Sequence, residues 1–441
     1  MGLALQGCVV KLTTLIAILA ASGTASGVER AQRRLNVRHF ILPGVHLSAK
    51  SNTPPSKVKQ EKNTNQSRPS IPAPVQGVTR MSGAQTGQAL WSTSCPTPVK
   101  VGFFGDFWVA PRSPAVDQKS ALLNELRPIL SWADFNVVNF EGSITDIKEK
   151  AFPKFPFALK QEPSSLGWLS GANIRHLTRA NNHAMDFGWE GALETSRAIE
   201  KAGMYHTGVG SNLSDALRPM WLEKQGTKIA VFAVTTTYPL EAWAKSKQAG
   251  VAHPHRPALR RAIKAAKASA DFVVVVFHWG EELVATLRDH QKALAEQTLT
   301  DGADVILGHH AHVAQVVDIE RPNGIVAYGL GNFIFTSLSR SAKFGLGAHF
   351  EFCKSDKRYA DGTTHFYRMV LTPLYTYNRE TDYRTRFMNL SEFLPTAADY
   401  VKKGYFSPEL EFYVPEENRV KTLSEWLQLR QQASKEEQAV R

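Results

Sequence analysis

The sequence predicts an α/β protein, and two observations carry that expectation. Apolar runs at 99–104, 135–140, 173–180, 229–234, 272–277 and 304–307 alternate with stretches of helical periodicity, the pattern of strands joined by covering helices. Five of these runs also end in polar side chains: Asp106; Asn139 with Glu141; Asn182 with His183; His278 with Glu282; and the cluster His309-His310-Ala311-His312. Alternating strands and helices set such ends along one edge of a sheet, so residues more than two hundred positions apart are expected to meet there.

Before the first strand the composition changes twice. Residues 12–25 form a short apolar run behind Lys11 that ends in small residues, as in a secretory signal peptide cleaved after Ala25 or a retained amino-terminal anchor. Residues 1–27 are therefore expected to direct export, placing the protein in the periplasm, outside the cell, or on the membrane facing outward. Residues 28–97 are rich in Ser, Pro, Gln and basic residues and cannot bury enough apolar surface to offset their ordering entropy. They are read as a disordered basic tether. Between 28 and 100, eleven Lys and Arg face only Glu29 and Glu61, a net of +9 out of +12 for the whole chain. The folded part is thus nearly neutral, which argues against a nucleic-acid-binding domain and suits a tail that meets anionic lipid, an anionic polymer or only solvent. Outside the leader, Cys95 and Cys353 could pair after export or remain thiols; no cysteine cluster offers a metal site.

The ordered domain is expected over 98–377. Its first strand runs into Gly105-Asp106, and a helix follows over 117–132. The second strand ends at Asn139-Phe140-Glu141. A loop rich in Phe and Pro (152–157), a short helix over 163–170 and a third strand then lead into Asn181-Asn182-His183-Ala184-Met185-Asp186 and a helix over 190–202. A helix over 257–270 precedes the apolar run 272–277, which ends in His278-Trp279-Gly280-Glu281-Glu282. The helix 289–300 stops at Asp301-Gly302, the next strand delivers the histidine cluster, and beyond it lie the stretch 325–335 and several alternating segments up to about Tyr377. Residues 378–441 are read as a peripheral, partly helical extension.

Three imidazoles within four residues favour a metal site, because a His-x-His pair at a strand end holds nitrogen lone pairs still. Oxygen and imidazole ligands together suit one or two divalent ions, Mn, Fe or Zn rather than Mg.

Gly105-Asp106, Asn139-Phe140-Glu141, Ala180-Asn181-Asn182-His183-Ala184-Met185-Asp186-Phe187-Gly188, His278-Trp279-Gly280-x-Glu282, Gly308-His309-His310-Ala311-His312-Val313 and Tyr328-Gly329-Leu330-Gly331-Asn332-Phe333 resemble, in order and spacing, the motif set of the CapA family of poly-gamma-glutamate capsule synthesis proteins. The resemblance covers about residues 99–340. It implies a calcineurin-like metallophosphoesterase fold, an αββα sandwich of two packed sheets with helices outside. It further implies that Asp106 ligates one metal, that Glu141 bridges, that Asn182 ligates a second metal, and that His278, His310 and His312 complete the coordination. His183 would protonate a leaving group or steady an oxyanion, Asp186 would orient it, and Glu282 would be a ligand or a nearby acid. Asp186 and Glu282 could equally be ordinary hydrogen-bonding neighbours, and Asn332 is expected to serve loop packing rather than line the pocket. Asn139 sits beside the expected ligands. The wider superfamily follows its first Asp with x-His, where this chain has Phe107-Trp108, so either one metal loses a ligand or His309 replaces it.

The expected function is an exported, metal-dependent, hydrolase-like protein in synthesis or processing of an anionic surface polymer of the polyglutamate type. Two other readings share the scaffold: a general phosphoesterase, and a non-catalytic accessory subunit that binds the polymer or its membrane synthase, with membrane contact through the amino-terminal segment.

Overall fold

The computed structural model describes Cys95 and residues 97–237, 239–354, 366–415 and 419–428. The expected leader and, apart from Cys95 and Thr97, the expected tether lie outside these residues. In chain order the strands are β1 (Val99–Trp108), β2 (Phe135–Phe140), β3 (His176–Thr178), β4 (Tyr205–Thr207), β5 (Val209–Gly210), β6 (Met220–Lys224), β7 (Thr227–Thr235), β8 (Gly250–Val251), β9 (Phe272–His278), β10 (Val305–His309), β11 (Val317–Asp318), β12 (Ile325–Ala327), β13 (Asn332–Phe335), β14 (Phe344–Phe352), β15 (Phe366–Tyr375), β16 (Arg386–Phe387), β17 (Glu411–Val414) and β18 (Arg419–Thr422).

Two sheets pack against each other. A ten-stranded sheet runs β18-β17-β15-β14-β1-β2-β3-β4, with β13 also beside β1 and β16 beside β15. A six-stranded sheet runs β11-β12-β10-β9-β7-β6, and β5 pairs with β8 apart from both. The period-2 alternation of side chains decides what each face buries. Val99, Val101 and Phe103 of β1 and Phe350 of β14 meet Val231, Val274, Val276, Val305 and Leu307 of the smaller sheet in one central core. Phe104, on the alternate side of β1, and Phe107, turned to that same side by the register shift between Phe104 and Asp106, face outward, onto Leu122, Ile129, Leu169 and Ile199. On the other side Phe232, Val273, Val275 and Ile306 pack under Leu259 and Ile263 of helix Arg256–Lys267 and Ala295 and Leu299 of helix Asp289–Thr300. Because β9 is covered on both faces, all seven of its residues are buried, which explains its unbroken apolar sequence. This is the αββα sandwich that the motif resemblance implies.

Several elements depart from expectation. The helix foreseen over 117–132 is broken into Ala115–Gln118, a 3-10 turn Lys119–Leu123 and Arg127–Trp132, whose first turn holds Pro128. Proline cannot donate the backbone hydrogen bond that a continuous helix needs there. The strand foreseen over 173–180 shortens to β3, and Asn173 takes a left-handed φ of 62° while its side chain donates to Leu130 O and Ala133 O. The stretch 325–335, for which the sequence sets no strand boundaries, forms two strands in different sheets, β12 and β13. The stretch 378–428, foreseen as peripheral, adds β17 and β18 to the edge of the larger sheet and sends Phe393, Ala397, Phe406, Phe412 and Leu423 into the central core. Its apolar residues face a surface that β14 and β15 would otherwise leave exposed, so burial incorporates it. Cys95 and Cys353 form a disulfide, Cα–Cα 5.9 Å, closing the end of the β1–β14 ladder next to the pair Val99↔Phe352.

Candidate metal centre

The polar strand ends converge, but on the facing edges of two sheets rather than on the edge of one. Asp106 lies near the carboxyl end of β1 in the larger sheet, two residues before Trp108, where parallel register puts Asn139 of β2 on one side and Asn332 of β13 on the other. His278 and His309 are partners in the register of β9 and β10 in the smaller sheet. The segment 328–332 stitches the edges together. Leu330 N donates to Gly308 O at 2.9 Å and Asp106 N donates to Gly331 O at 3.0 Å. Two glycines make this approach feasible: a Cβ at Gly105 would lie 1.9 Å from Gly331 O, and one at Gly308 would lie 1.8 Å from Tyr328 O.

After β10 the backbone of both His310 (φ 82°) and His312 (φ 55°) turns left-handed. For a residue with a Cβ each such turn costs about 1–3 kcal/mol, and it persists here because the surrounding contacts determine it. The turns bring His310 N within 3.3 Å of Asp106 Oδ2 as a donor, and place His312 Nδ1 3.1 Å from the same oxygen. His309 Nδ1 lies 3.3 Å from Asp106 Oδ1, outside hydrogen-bonding geometry. Carboxylate and imidazole atoms of Asp106, Glu141 and His312 all fall within 4.8 Å of one another.

Asn139 stands at the middle. Its Nδ2 donates to Asp106 Oδ1 at 2.8 Å and to Glu141 Oε2 at 3.4 Å, and lies 3.4 Å from His278 Nδ1. His278 Nε2 faces Asn182 Oδ1 at 2.8 Å. Asn332, foreseen as loop packing, belongs to this network: its Oδ1 lies 2.8 Å from His312 Nδ1, because β13 runs beside β1. His183 Nδ1 donates to Asp186 Oδ2 at 2.7 Å, and His183 Nε2 points toward Glu141 Oε1 at 3.8 Å. The same Asp186 oxygen accepts from Leu159 N at 2.6 Å, so one carboxylate holds both the His183 ring and the exit of the Phe-rich loop. Glu282 is exposed on the turn after β9 and makes no hydrogen bond or ion pair among the described residues; its charge reaches Glu141 and His312 through space.

Asn181 carries more than its place in the motif announces. Its Nδ2 donates to Asn139 Oδ1 at 3.2 Å and Phe140 O at 2.9 Å, while its Oδ1 accepts from His183 N at 3.1 Å. It couples the β2 end to the His183 loop, a role that adjacency in the sequence could not reveal.

The electrostatics fit a cation. Burial, and then the nearby Asp106 charge, push the Glu141 carboxyl well above the usual range. Burial would also raise Asp106, but contacts with His309 and His312 outweigh it and hold Asp106 well below. Burial, followed by the other imidazoles, lowers His278 and brings His310 to about 3, leaving both neutral with a lone pair to offer. Burial opposes charge on His312 too, yet its hydrogen bond with Asp106 and the Glu141 charge raise it. For His183 the Asp186 hydrogen bond likewise overcomes burial and raises the imidazole. Glu141 Oε1 and His310 Nδ1 are buried without any hydrogen-bond partner, which is costly for polar atoms unless something positive or protic meets them. The residues that could hold a divalent ion are Asp106, Glu141, Asn182, His278, His310 and His312, with His309 beside Asp106.

Residues 100–337 match the family model described as bacterial capsule synthesis protein PGA_cap. The chain is 31% identical over 220 residues to the capsule biosynthesis protein CapA of Bacillus anthracis, covering 48% of this chain and 53% of that protein. It is 32% identical over 260 residues to the PGA biosynthesis protein CapA of Bacillus subtilis strain 168, covering 56% of this chain and 68% of that one. The chain thus spans about half the length of the first relative and about two thirds of the second. Among solved structures, the calcineurin-like phosphoesterase YfkN of Bacillus subtilis aligns with 70% of this chain and 98% of its own at 12% identity and a TM-score of 0.40. The match over 100–337 takes in every strand end of the candidate centre, and the chain belongs to the bacterial capsule synthesis protein family PGA_cap.

Proposed function

We propose that this chain is an exported, metal-dependent, hydrolase-like protein that acts in synthesis or processing of an anionic surface polymer of the polyglutamate type. The supporting observation is the convergence of Asp106, Glu141, His278, His310 and His312 around the partnerless buried atoms of Glu141 and His310, in a chain related to proteins named for capsule and PGA biosynthesis. A bound divalent cation would supply Lewis-acid polarisation of an oxygen on the scissile bond. The chain's own contribution is to hold that arrangement rigid. Asp106 and Asn139 fix the sheet edges, and Asp186 accepts the hydrogen bond from His183 Nδ1 and favours the imidazolium, so that a second proton, on Nε2, faces the centre. From there His183 is placed to hand a proton to a leaving group or to steady developing negative charge. The Cys95–Cys353 disulfide supports an oxidising compartment and hence export.

The test is elemental analysis of purified full-length protein beside a His310→Ala, His312→Ala double variant, with hydrolysis of a phosphodiester and of polyglutamate measured before and after chelation. Metal in the wild type, its loss in the variant and chelator-sensitive polyglutamate turnover are expected. Equal metal content in both proteins would remove the metal centre. Chelator-sensitive phosphodiester cleavage with no effect on polyglutamate would make it a general phosphoesterase instead.

A further inference from the structure

A second site lies outside the metal centre. Next to the outer face of the smaller sheet is a cleft of about 1060 Å³ whose walls include Leu240, Trp243, Lys245, His253, His255 and Arg261. One wall is helix Arg256–Lys267. Leu259, Ile263 and Ala266 turn inward to the core, while Arg256, Arg260, Arg261 and Lys264 are exposed. The cleft and a smaller depression beside it, lined by Arg256, Pro257, Arg260, Arg261 and Lys264, share Arg261. Arg260 pairs with Asp301 at 3.3 Å, but Lys245, Arg256, Arg261 and Lys264 have no carboxylate partner among the described residues, and Glu241 is the one acid in the cleft wall. Protein surfaces normally intersperse both signs of charge, so this local excess sets a positive field over an open groove.

The groove's floor is ordered. The Trp243 and His253 rings stack at 4.6 Å and 13°, Trp243 Nε1 donates to Thr237 O at 3.0 Å, and His253 Nε2 lies 3.1 Å from Ala244 O. Trp243 also packs against the cluster of Ala184, Met185 and Val251, so the groove wall touches the loop that carries His183. Arg256 and Lys264, eight residues or about 12 Å apart along the helix, with Arg261 between them, repeat positive charge along the exposed face. A single phosphate would use one such position; a chain with regularly repeated carboxylates would use the row.

We infer that this groove binds an extended polycarboxylate and guides it toward the His183 loop. The identity of the anion rests on the polymer reading above; the groove itself rests on its shape and its unpaired basic residues. Binding of fluorescently labelled poly-γ-glutamate to the full-length protein is measured by anisotropy at low and high salt, against a neutral dextran and inorganic phosphate as competitors. Tests use the wild type, Arg261→Glu/Lys264→Glu and, on another part of the wall, Lys245→Glu; circular dichroism verifies that each is folded. The expected result is saturable binding that weakens about tenfold in the double variant and falls with ionic strength, with neither competitor effective at equal concentration. Unchanged affinity in every folded variant overturns the groove and leaves the polymer role standing. Competition by dextran or by phosphate alone overturns polycarboxylate recognition. Metal content, followed separately, reports the fate of the metal centre: polymer binding without metal sinks the centre and not the groove.

Discussion

His349 provides a quantitative test of the packing between the larger sheet and its outer helices. It lies on β14, wholly buried, with Phe104 and Trp132 rings edge-on at 5.5 and 5.6 Å and neither ring nitrogen hydrogen-bonded. Burial alone brings it from 6.5 to about 3. Since the folded value is the lower one, the unfolded chain binds the extra proton. The contribution is therefore complete above pH 6.5 and is lost as pH falls through the window down to about 3. Linkage over that window gives a loss of about 2 kcal/mol between pH 8 and pH 5, rising towards about 5 kcal/mol below pH 3. His349→Leu keeps the volume and removes the titration. His176 and His206, also lowered by burial, remain in both proteins and cancel in the comparison. Denaturant midpoints at pH 8 and pH 5, converted with a common slope, should show the variant losing about 2 kcal/mol less than the wild type. A wild-type-minus-variant difference that stays constant with pH would refute a neutral buried imidazole at this position.

Other consequences are equally direct. Asp186→Ala removes the acceptor for both Leu159 N and His183 Nδ1, so about 1–3 kcal/mol of stability should be lost together with a hundredfold or greater drop in turnover, whereas Asp186→Asn should retain most of the stability; equal thermal midpoints for Ala and wild type would contradict the shared anchor. Breaking the disulfide as Cys95→Ser/Cys353→Ser opens a loop with a sequence separation of 258 and should cost up to about 5 kcal/mol, seen as a lower melting temperature that reductant reproduces in the wild type and does not change further in the variant. Gly308→Ala puts a Cβ into Tyr328 O and should abolish soluble expression, while Gly171→Ala, which meets nothing within 4 Å, should express normally; comparable yields would disprove the close approach of the two sheet edges.

Much of this was legible locally. A run such as Phe272–His278 loses its alternation because it is buried on both faces, and period-2 alternation in β1 separates Val101 and Phe103 from Phe104, whereas the register shift that turns Phe107 to the side of Phe104 is set by strand pairing. The polar residues at or near the carboxyl ends of β1, β2, β9 and β10 stand out against those runs, so Asp106, Glu141, His278 and the histidine cluster could be picked out, and their order and spacing pointed to the capsule synthesis family. Other features depend on contacts that no spacing encodes. That the ligand-bearing ends belong to two sheets follows from the 328–332 crossing and its glycine contacts. The place of Asn332 beside His312 comes from β13 pairing with β1 across more than two hundred residues, and the hub role of Asn181 comes from hydrogen bonds to a different strand. The stretch 378–428 has too little periodicity to announce a place in the core; only the uncovered apolar surface of β14 and β15 assigns it one. Sequence by itself determined, for the strands that carry the site, which runs are buried and which polar residues interrupt them, since solvent exclusion acts through each side chain. Tertiary structure alone decided which interruptions share a site, because that depends on strand pairing between segments far apart in the chain.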